Sequence, residues 1–327
     1  MKRENQFGLS FIALLATALA SHAADVTVER TERGAVVKID GEVFTEYLTK
    51  AGQSPALWPI IGPSGKKMTR TYPLGPKDDG GTTDHPHHQS LWFTHDEVSS
   101  PDVPRADFWK SNHNGDQGDQ GPHIAHREFV KAESDGEVAT IIARDDWMNG
   151  SKRLCEDERT LRFGQRSNGD RWIDFAITIK ASDGDVTFGD TKEGTFAVRV
   201  ADTMRVAAKQ GGRIVNSQGL EDKAAWGVPA AWVDYTGPVE GETVGIAVFS
   251  HPQSFRPTPR WHVRDYGLLA ANPFGQKEFP HPELADQGVF TIKKGDELTF
   301  HYRVLLHHGA TEEADIANAY SEFASSP

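Results

Sequence analysis

Alternation of apolar and polar residues recurs in short runs along most of the 327-residue chain. Such runs, bounded by Gly, Pro, Asn and Asp, are typical of β-strands. The dipeptide Asp40-Gly41 adds a hairpin signal between two of them. We predict strands at residues 26–30, 35–39, 43–48, 57–61, 139–143, 159–163, 172–180, 186–188, 195–200, 232–235, 243–250, 289–292 and 298–306.

Helical periodicity is clear in one segment near the C-terminus, residues 311–323. Thr311 is the expected N-cap, and Ile316, Tyr320 and Phe323 fall on one face of the predicted helix. Many strands and one terminal helix predict an all-β fold. Because we find no internal repeat and no low-complexity linker, we expect residues 24–327 to form a single domain, a large antiparallel β-sandwich.

The N-terminus has the composition of a secretory signal peptide. Lys2 and Arg3 precede an apolar run over residues 7–20, and small residues follow it. We predict a signal peptide at residues 1–23 with cleavage near Ala23, Ala20 and Ala24 being the competing positions. The mature chain is then exported to the periplasm or beyond. No later run is apolar enough to cross a bilayer, so we expect no membrane insertion.

Charge and cysteine content narrow the classes of partner. The net charge of −12 argues against nucleic acid and anionic membranes as partners. Cys155 is the one cysteine, so an intramolecular disulfide cannot form. We expect a small-molecule or glycan substrate.

The densest cluster of chemically useful side chains is the segment Asp84-His85-Pro86-His87-His88. A histidine beside a carboxylate that orients it can act as a general acid or base, and His87 or His88 is our candidate acid. The three rings can also serve structural roles around the proline turn. The segment precedes residues 93–127, an irregular stretch rich in His and Trp, which we expect to be a loop forming a wall or lid.

Clustered histidines also suggest a metal site, since imidazole is a common metal ligand. His85, His87 and His88 are the candidate ligands for a divalent ion. The spacing matches no established zinc motif, and a more distant fourth ligand is needed. The candidates for it are His123, His262 and His307.

A second cluster, residues 190–194, follows a predicted strand. Lys192 can hold Glu193 ionised as a candidate base, or can itself bind substrate. Asp84 or Asp190 could supply the second carboxylate that glycoside hydrolysis needs. The alternative is an ordinary solvated turn.

A third cluster is the segment Trp261-His262-Val263-Arg264-Asp265-Tyr266. As an extended strand it places His262, Arg264 and Tyr266 on one face, where they could bind substrate. The alternative is the polar outer face of a strand. Residues 270–275 are predicted to turn, with Asn272 beside this face.

Tryptophans lie in or near these clusters at positions 92, 109, 226, 232 and 261. Exposed rings can stack on sugar rings, whereas buried ones belong to the core, and Trp92 and Trp109 are the candidates for stacking. Whether the three clusters meet at one site decides whether a single-site hypothesis holds.

Several of these motifs together resemble a family of exported bacterial proteins termed PmoA-like, after a methane oxygenase subunit. The matching stretches are Thr69-Arg70-Thr71-Tyr72-Pro73, residues 84–92, Asp107-Phe108-Trp109, residues 189–194, Trp226-Gly227, residues 261–267 and residues 272–275. The resemblance implies a large β-sandwich similar to galactose mutarotase, with sugar bound on a concave sheet and histidine and carboxylate as acid and base. Methane oxidation is rejected, because this chain lacks the spanning segments of that membrane subunit.

These patterns favour an exported carbohydrate-active protein, an enzyme performing acid–base chemistry on a sugar by hydrolysis, elimination or epimerisation. Two alternatives remain open from sequence. One is a glycan-binding protein without catalysis, and the other is a histidine-ligated metalloenzyme.

Overall fold

Antiparallel β-strands dominate the computed structural model, which describes residues 24–111, 115–280 and 287–326. The predicted signal peptide, residues 1–23, lies outside the described residues. In spatial order, the first sheet contains β1 (Val26–Arg30), β2 (Gly34–Ile39), β3 (Glu42–Ala51), β4 (Ser54–Ile60), β5 (Leu91–His95), β13 (Gly194–Arg199), β18 (Leu268–Asn272) and β17 (Arg260–Val263).

A second sheet of eight strands packs against the first. In spatial order, it contains β14 (Arg213–Asn216), β15 (Trp232–Val239), β16 (Glu242–Ser250), β20 (Glu297–His308), β11 (Arg171–Lys180), β10 (Lys152–Gln165), β9 (Ala139–Asn149) and β8 (Pro122–Ser134). A third, smaller sheet contains β19 (Phe290–Ile292), β12 (Val186–Phe188), β6 (Val98–Ser100) and β7 (Val103–Ala106).

The inner faces of the two large sheets enclose the main hydrophobic core. Aromatic pairs join the sheets across it: Phe196 stacks on Tyr302 at 4.5 Å between ring centroids, and Phe93 on Phe175 at 6.4 Å. Alternate residues of each strand supply these contacts, as the period of two requires. The predicted all-β antiparallel sandwich is therefore confirmed, while the single domain over residues 24–327 stays a prediction.

The helix near the C-terminus is shorter than predicted, because α1 covers Ile316–Ala324. Asp315 precedes it in the left-handed region, and the Thr311 hydroxyl donates a hydrogen bond to the buried Asp234 carboxylate, so Thr311 is not the N-cap. The expected apolar face is correct, since Ile316 and Phe323 pack on the outer face of the second sheet. Short 3₁₀ turns occur at Gly115–Gln120, Asp202–Met204, Val206–Ala208 and Asp222–Ala225. Within the described ranges, none of the helices combines the length and hydrophobicity needed to span a bilayer.

Two loop predictions were wrong. The region 93–127, expected to be irregular, contains the end of β5, all of β6 and β7, and the start of β8. The sequence pattern does not predict these strands, because β6 and β7 are only three and four residues long and because β8 carries mostly polar, half-exposed side chains. The predicted turn at 270–275 begins only after β18, which extends to Asn272.

A buried charged network crosses the sandwich on β9 and β10. The Arg159 guanidinium, 1% exposed, lies 3.1 Å from the Asp145 carboxylate and donates two hydrogen bonds of 2.9 Å to Asp157. Tyr47 and Trp147 donate further hydrogen bonds to these carboxylates, at 3.1 and 2.6 Å. One cation therefore balances two buried carboxylates, and neither carboxylate is left without a donor.

The third sheet is joined to the first by a buried histidine. The His95 Nε2–H donates to the Gly189 carbonyl at 3.0 Å, and its Nδ1 lies 3.3 Å from the Thr195 hydroxyl. Position 194 must be glycine, because a Cβ there would lie 2.2 Å from His95 Nδ1. Burial lowers the pKa of His95 to about 4, although hydrogen bonding to Gly189 and the charge of Asp96 act in the opposite direction.

Removing the buried cation should destabilise the protein strongly. We expect Arg159→Met to lower the free energy of unfolding by about 3–5 kcal/mol, because two buried carboxylates lose their counter-ion. Urea unfolding monitored by tryptophan fluorescence measures this. The control is Arg144→Met on β9, whose side chain is 41% exposed and pairs with Glu128 and Glu158. That change should lower the free energy of unfolding by under about 1 kcal/mol. Equal losses for the two variants would contradict the larger contribution expected of the buried Arg159.

The buried neutral His95 should make stability fall in mild acid. The unfolded chain binds a proton near pH 6.5 and the folded chain only near pH 4, so the contribution present above pH 6.5 is lost as pH falls towards 4. The expected slope from this group is about 1.4 kcal/mol per pH unit. Urea unfolding of wild type and His95→Gln between pH 7 and 4.5 should show a shallower slope for the variant. His308→Gln, at an exposed position, should keep the wild-type slope.

Candidate functional site

The outer face of the first sheet carries the residues singled out in the sequence. Cross-strand pairing places Trp92, Ala197, Ala270 and His262 in one row across β5, β13, β18 and β17. All four are at most 3% exposed, so other side chains cover them. The two alanines leave room above the centre of the sheet, and the histidine segment packs there.

Two buried arginines fix the backbone of the histidine segment. Arg70, 1% exposed, donates to the carbonyl oxygens of Tyr72, Asp84 and His85 at 2.9, 2.7 and 2.9 Å. Arg199, fully buried on β13, donates to both carboxylate oxygens of Asp84 at 3.1 Å. The two arginines are neighbours, since the Arg70 amide donates to the Arg199 carbonyl at 3.0 Å.

The charges of this arrangement keep Asp84 ionised. Burial alone would raise its pKa, but hydrogen bonds from Thr82 and His85 and the charge of Arg199 hold the pKa of Asp84 well below its usual range. Burial and the charge of Arg199 together lower the pKa of Arg70 to about 10. At neutral pH Arg70 and Arg199 are therefore cations and Asp84 is an anion.

The three histidines occupy different environments. His87 and His88 are 7% and 1% exposed, whereas the side chain of His85 is 39% exposed. The Arg199 guanidinium donates to His88 Nδ1 at 3.1 Å, which requires that nitrogen to be unprotonated. Burial, with the charges of His87 and Arg199, holds the pKa of His88 well below its usual value. His88 is thus neutral near pH 7, and the prediction that it serves as the acid has no support in this geometry.

His85 is the histidine that both meets solvent and has a carboxylate partner. Its Nδ1–H donates to Asp84 Oδ2 at 2.5 Å, so Nε2 is the nitrogen that can exchange a proton. The backbone at His85 has φ of +46°, in the left-handed region that non-glycine residues adopt rarely. The sequence interpretation had placed His85 only among the metal ligands. In the structure His85 is bonded to a carboxylate and is partly exposed, whereas His87 is buried among neighbouring rings.

A series of ring and cation contacts extends from His85 across the surface. His85 stacks on Tyr266 at 4.7 Å with an 11° angle between the rings. The Arg264 guanidinium lies over Tyr266 at 5.6 Å and over Trp226 at 5.5 Å. Tyr266 thus joins the histidine cluster to the cluster around Arg264. The segment differs from the prediction in one respect, since β17 ends at Val263 and residues 264–267 form a turn.

The 190–194 cluster approaches the same surface. Glu193 is close enough to Tyr266 for its charge to act on the tyrosine's pKa, which burial raises to about 12. Lys192 forms an ion pair with Glu278 and lies 3.6 Å from Glu193. The three predicted clusters therefore meet on one face of the first sheet.

Several predicted contact residues support the site from below instead of facing solvent. Trp92 and Trp109 are at most 1% exposed and pack on His88 at 5.4 and 5.7 Å, so neither offers a face to a sugar. His262 Nδ1–H donates to the Lys192 carbonyl at 2.9 Å, and burial lowers its pKa to about 3. The Asn272 side-chain NH₂ donates to the Thr191 carbonyl, and its Oδ1 accepts hydrogen bonds from the amides of Phe274 and Gly275.

Asp190 Oδ1 accepts hydrogen bonds from the amides of Gln276 and Lys277. These bonds hold the segment after β18, and the role of Asp190 as a second catalytic carboxylate stays a prediction.

The predicted metal site receives no support from the described residues, among which no group of three or more His, Cys, Asp or Glu side chains could hold an ion. The rings of His85 and His88 stack at 4.8 Å, and His87 meets His88 edge-on at 4.4 Å. Asp84, the nearest carboxylate, is already bonded by two arginines. The rings pack against one another and their nitrogens do not converge.

Sequence reasoning gave no role to Arg70 and Arg199. A signal for Arg199 existed, because it is the one charged residue in the apolar run 195–201, and a charge there is seldom buried without a partner. Arg70 carried no comparable signal, since its neighbours are polar.

Structural comparison finds distant similarity to three carbohydrate-active proteins. A polysaccharide lyase is 13% identical, with a TM-score of 0.34 over 89% of this chain and 34% of that one. The α-galactosidase from Lactobacillus brevis is 7% identical, with a TM-score of 0.41 over 90% of this chain and 41% of that one. The chain thus spans well under half the length of both proteins. A GalM/aldose epimerase homologue from C. elegans is 8% identical, with a TM-score of 0.35 over 88% of this chain and all of that one.

At these TM-scores the similarities carry no argument about activity. No curated protein matches the sequence. The resemblance to PmoA-like proteins is not addressed by any of these matches and stays a prediction. A family model described as a family of unknown function, DUF6807, matches residues 34–321, and the chain therefore belongs to that family.

Proposed function

We propose that this protein is a carbohydrate-active enzyme in which the Asp84–His85 pair transfers the proton. The observation that carries the proposal is the 2.5 Å hydrogen bond from His85 Nδ1–H to a carboxylate that is paired with two buried arginines. It fixes the tautomer and directs the proton-exchanging Nε2 away from Asp84. A carboxylate that orients an imidazole in this way is a recurring device of acid–base catalysis.

Two neighbouring side chains, those of Tyr266 and Glu193, add a proton donor and a carboxylate to the pair. Because burial raises the pKa of Tyr266 to about 12, its phenol remains protonated at neutral pH and can donate to a leaving or hydroxyl oxygen. Glu193, whose side chain is 16% exposed, is a further carboxylate near Tyr266. An imidazole base, a phenol donor and a carboxylate suit hydrolysis, elimination or epimerisation, each of which includes proton transfer.

The character of the surface favours a sugar as the substrate. Half-buried aromatic rings, those of Trp58, Tyr266 and Trp226, border polar and charged groups on the same face. Sugar rings have apolar faces that stack on aromatics and hydroxyl edges that accept and donate hydrogen bonds. The net charge of −12 argues against nucleic acid as the alternative polyhydroxyl ligand.

Removing the imidazole should abolish catalysis without unfolding the protein. We expect His85→Asn to lower kcat/KM by about 10²–10⁴-fold on whichever glycan a screen of neutral and acidic polysaccharides identifies. Asparagine tolerates the positive φ at position 85 and can still donate to Asp84, so Tm should change little. Reducing-end assays measure hydrolysis, ultraviolet absorbance measures elimination, and proton NMR of the sugar measures epimerisation.

The control is His308→Asn, which changes an exposed histidine on the other sheet and should leave turnover unchanged. Full activity of His85→Asn would remove the pair from the mechanism. Saturable glycan binding by wild type with no product from any glycan would instead indicate a binding protein.

We also propose that the protein is exported, on the basis of the basic and apolar pattern of residues 1–23. Expression of the full chain in a bacterial host should give periplasmic protein whose N-terminus, read by mass spectrometry, is Ala24. Replacing Leu14 and Leu15 by Asp should keep the uncleaved chain in the cytoplasm. Cytoplasmic accumulation of the unaltered, uncleaved chain would contradict export.

A further inference from the structure

A cavity of about 300 Å³ opens at Arg264, whose guanidinium contacts the Tyr266 ring that stacks on His85. It is lined by Lys223, Trp226, Val263, Arg264 and Asp265. These residues come from the short 3₁₀ turn Asp222–Ala225, the residue after it, and the end of β17 with its following turn. None of them has a part in the proton transfer proposed for Asp84 and His85.

Arg264 is the distinctive member of this cavity. Its guanidinium carbon lies over both the Trp226 ring and the Tyr266 ring, at 5.5 and 5.6 Å from their centroids. Among residues 24–111, 115–280 and 287–326, no carboxylate pairs with it and no oxygen accepts from it. The other arginines of this face, Arg70, Arg199 and Arg260, all donate to protein oxygens.

An arginine held in this way is prepared to bind an anion. Contacts with the two rings limit the movement of the guanidinium, so less side-chain freedom is lost when a ligand binds. The planar donor edge matches the two oxygens of a carboxylate, and charged hydrogen bonds of this kind are roughly twice as strong as neutral ones. The geometry therefore fits an acidic group better than a hydroxyl.

The charges around the cavity select the charge of the ligand. Lys223 and Arg264 contribute two positive charges, and Asp265 contributes one negative charge. The net single positive charge favours an anionic ligand over a neutral one, and a monoanion neutralises it. Hexuronate carboxylates and sugar sulfate esters both have this charge.

We propose that this cavity binds the monoanionic group of an acidic sugar, with Arg264 as the principal contact and Lys223 as the second cation. This inference rests on the proposed function in taking the ligand to be a sugar. Tyr266 contacts both Arg264 and His85, so a sugar anchored by its acidic group lies next to the proton-transferring imidazole.

The experiment measures binding, not turnover, so that it is independent of catalysis. Isothermal titration calorimetry on the His85→Asn protein compares D-glucuronate and D-galacturonate with D-glucose, D-galactose, galactose 6-sulfate and the methyl ester of D-galacturonate. We expect an acidic sugar to bind at least about tenfold more tightly than its neutral counterpart. Added salt should weaken the binding.

Variants of the cavity identify the contact. Arg264→Gln should abolish the preference for the acidic sugar, Arg264→Lys should retain part of it, and Lys223→Gln should reduce it less than Arg264→Gln does. Lys38→Gln is the matched control, because it removes one positive charge from β2, near the opposite edge of the same sheet. Its binding should equal that of the parent protein.

The outcomes separate the two proposals. Preference for galacturonate over its methyl ester, lost in Arg264→Gln, identifies a carboxylate, and preference for galactose 6-sulfate identifies a sulfate ester. Equal binding of acidic and neutral sugars, or a preference that survives Arg264→Gln, overturns the acidic subsite while leaving the Asp84–His85 proposal intact. If binding depends on Arg264 but the wild-type protein turns over no glycan, the acidic subsite is supported and the proposed enzymatic function is contradicted.

Discussion

Asp84 is held between two buried guanidinium groups, and the geometry of the site depends on this interaction. Taking Arg70 and Arg199 out of water is costly, and the cost is offset only when nearly all their N–H groups find acceptors. The oxygens of Asp84 and the carbonyl groups of the histidine segment provide most of these acceptors. Any other path for this segment would leave a buried cation without its partners, so its conformation is strongly determined.

The same interaction divides the histidines by role. Arg199 occupies Nδ1 of His88 and, with burial, keeps that ring neutral, while Asp84 takes the Nδ1–H of His85. His88 then serves as an apolar layer over Trp92, and His85 alone keeps a nitrogen for chemistry at the surface. Two residues of the same type thus differ in protonation and exposure because their partners differ in charge and their rings differ in burial.

The sequence predicts the sandwich well, because strands such as β11 and β20 alternate cleanly between the core and the opposite face. It fails for β8, whose side chains are mostly polar and half-exposed and which owes its pairing to β9. At the site, several residues that were expected to contact substrate are buried. Burial of Trp92 and Trp109 arises from packing beneath the histidine segment, which local sequence does not encode. The role of Arg70 depends on an acceptor set brought close only by the fold.

Strand register is what brings the clusters together. β13 begins beside Glu193 and ends with Arg199, which pairs with Leu268 at the start of β18. The Val200 amide donates to the Gly267 carbonyl, so the turn carrying Arg264 and Tyr266 is fixed directly beside Arg199. A slip of one residue in this pairing would turn Arg199 into the core and Val198 outward. The apolar inner residues of β13, Phe196 and Val198, oppose such a slip, and the core that specifies the fold therefore also specifies the position of the charges at the site.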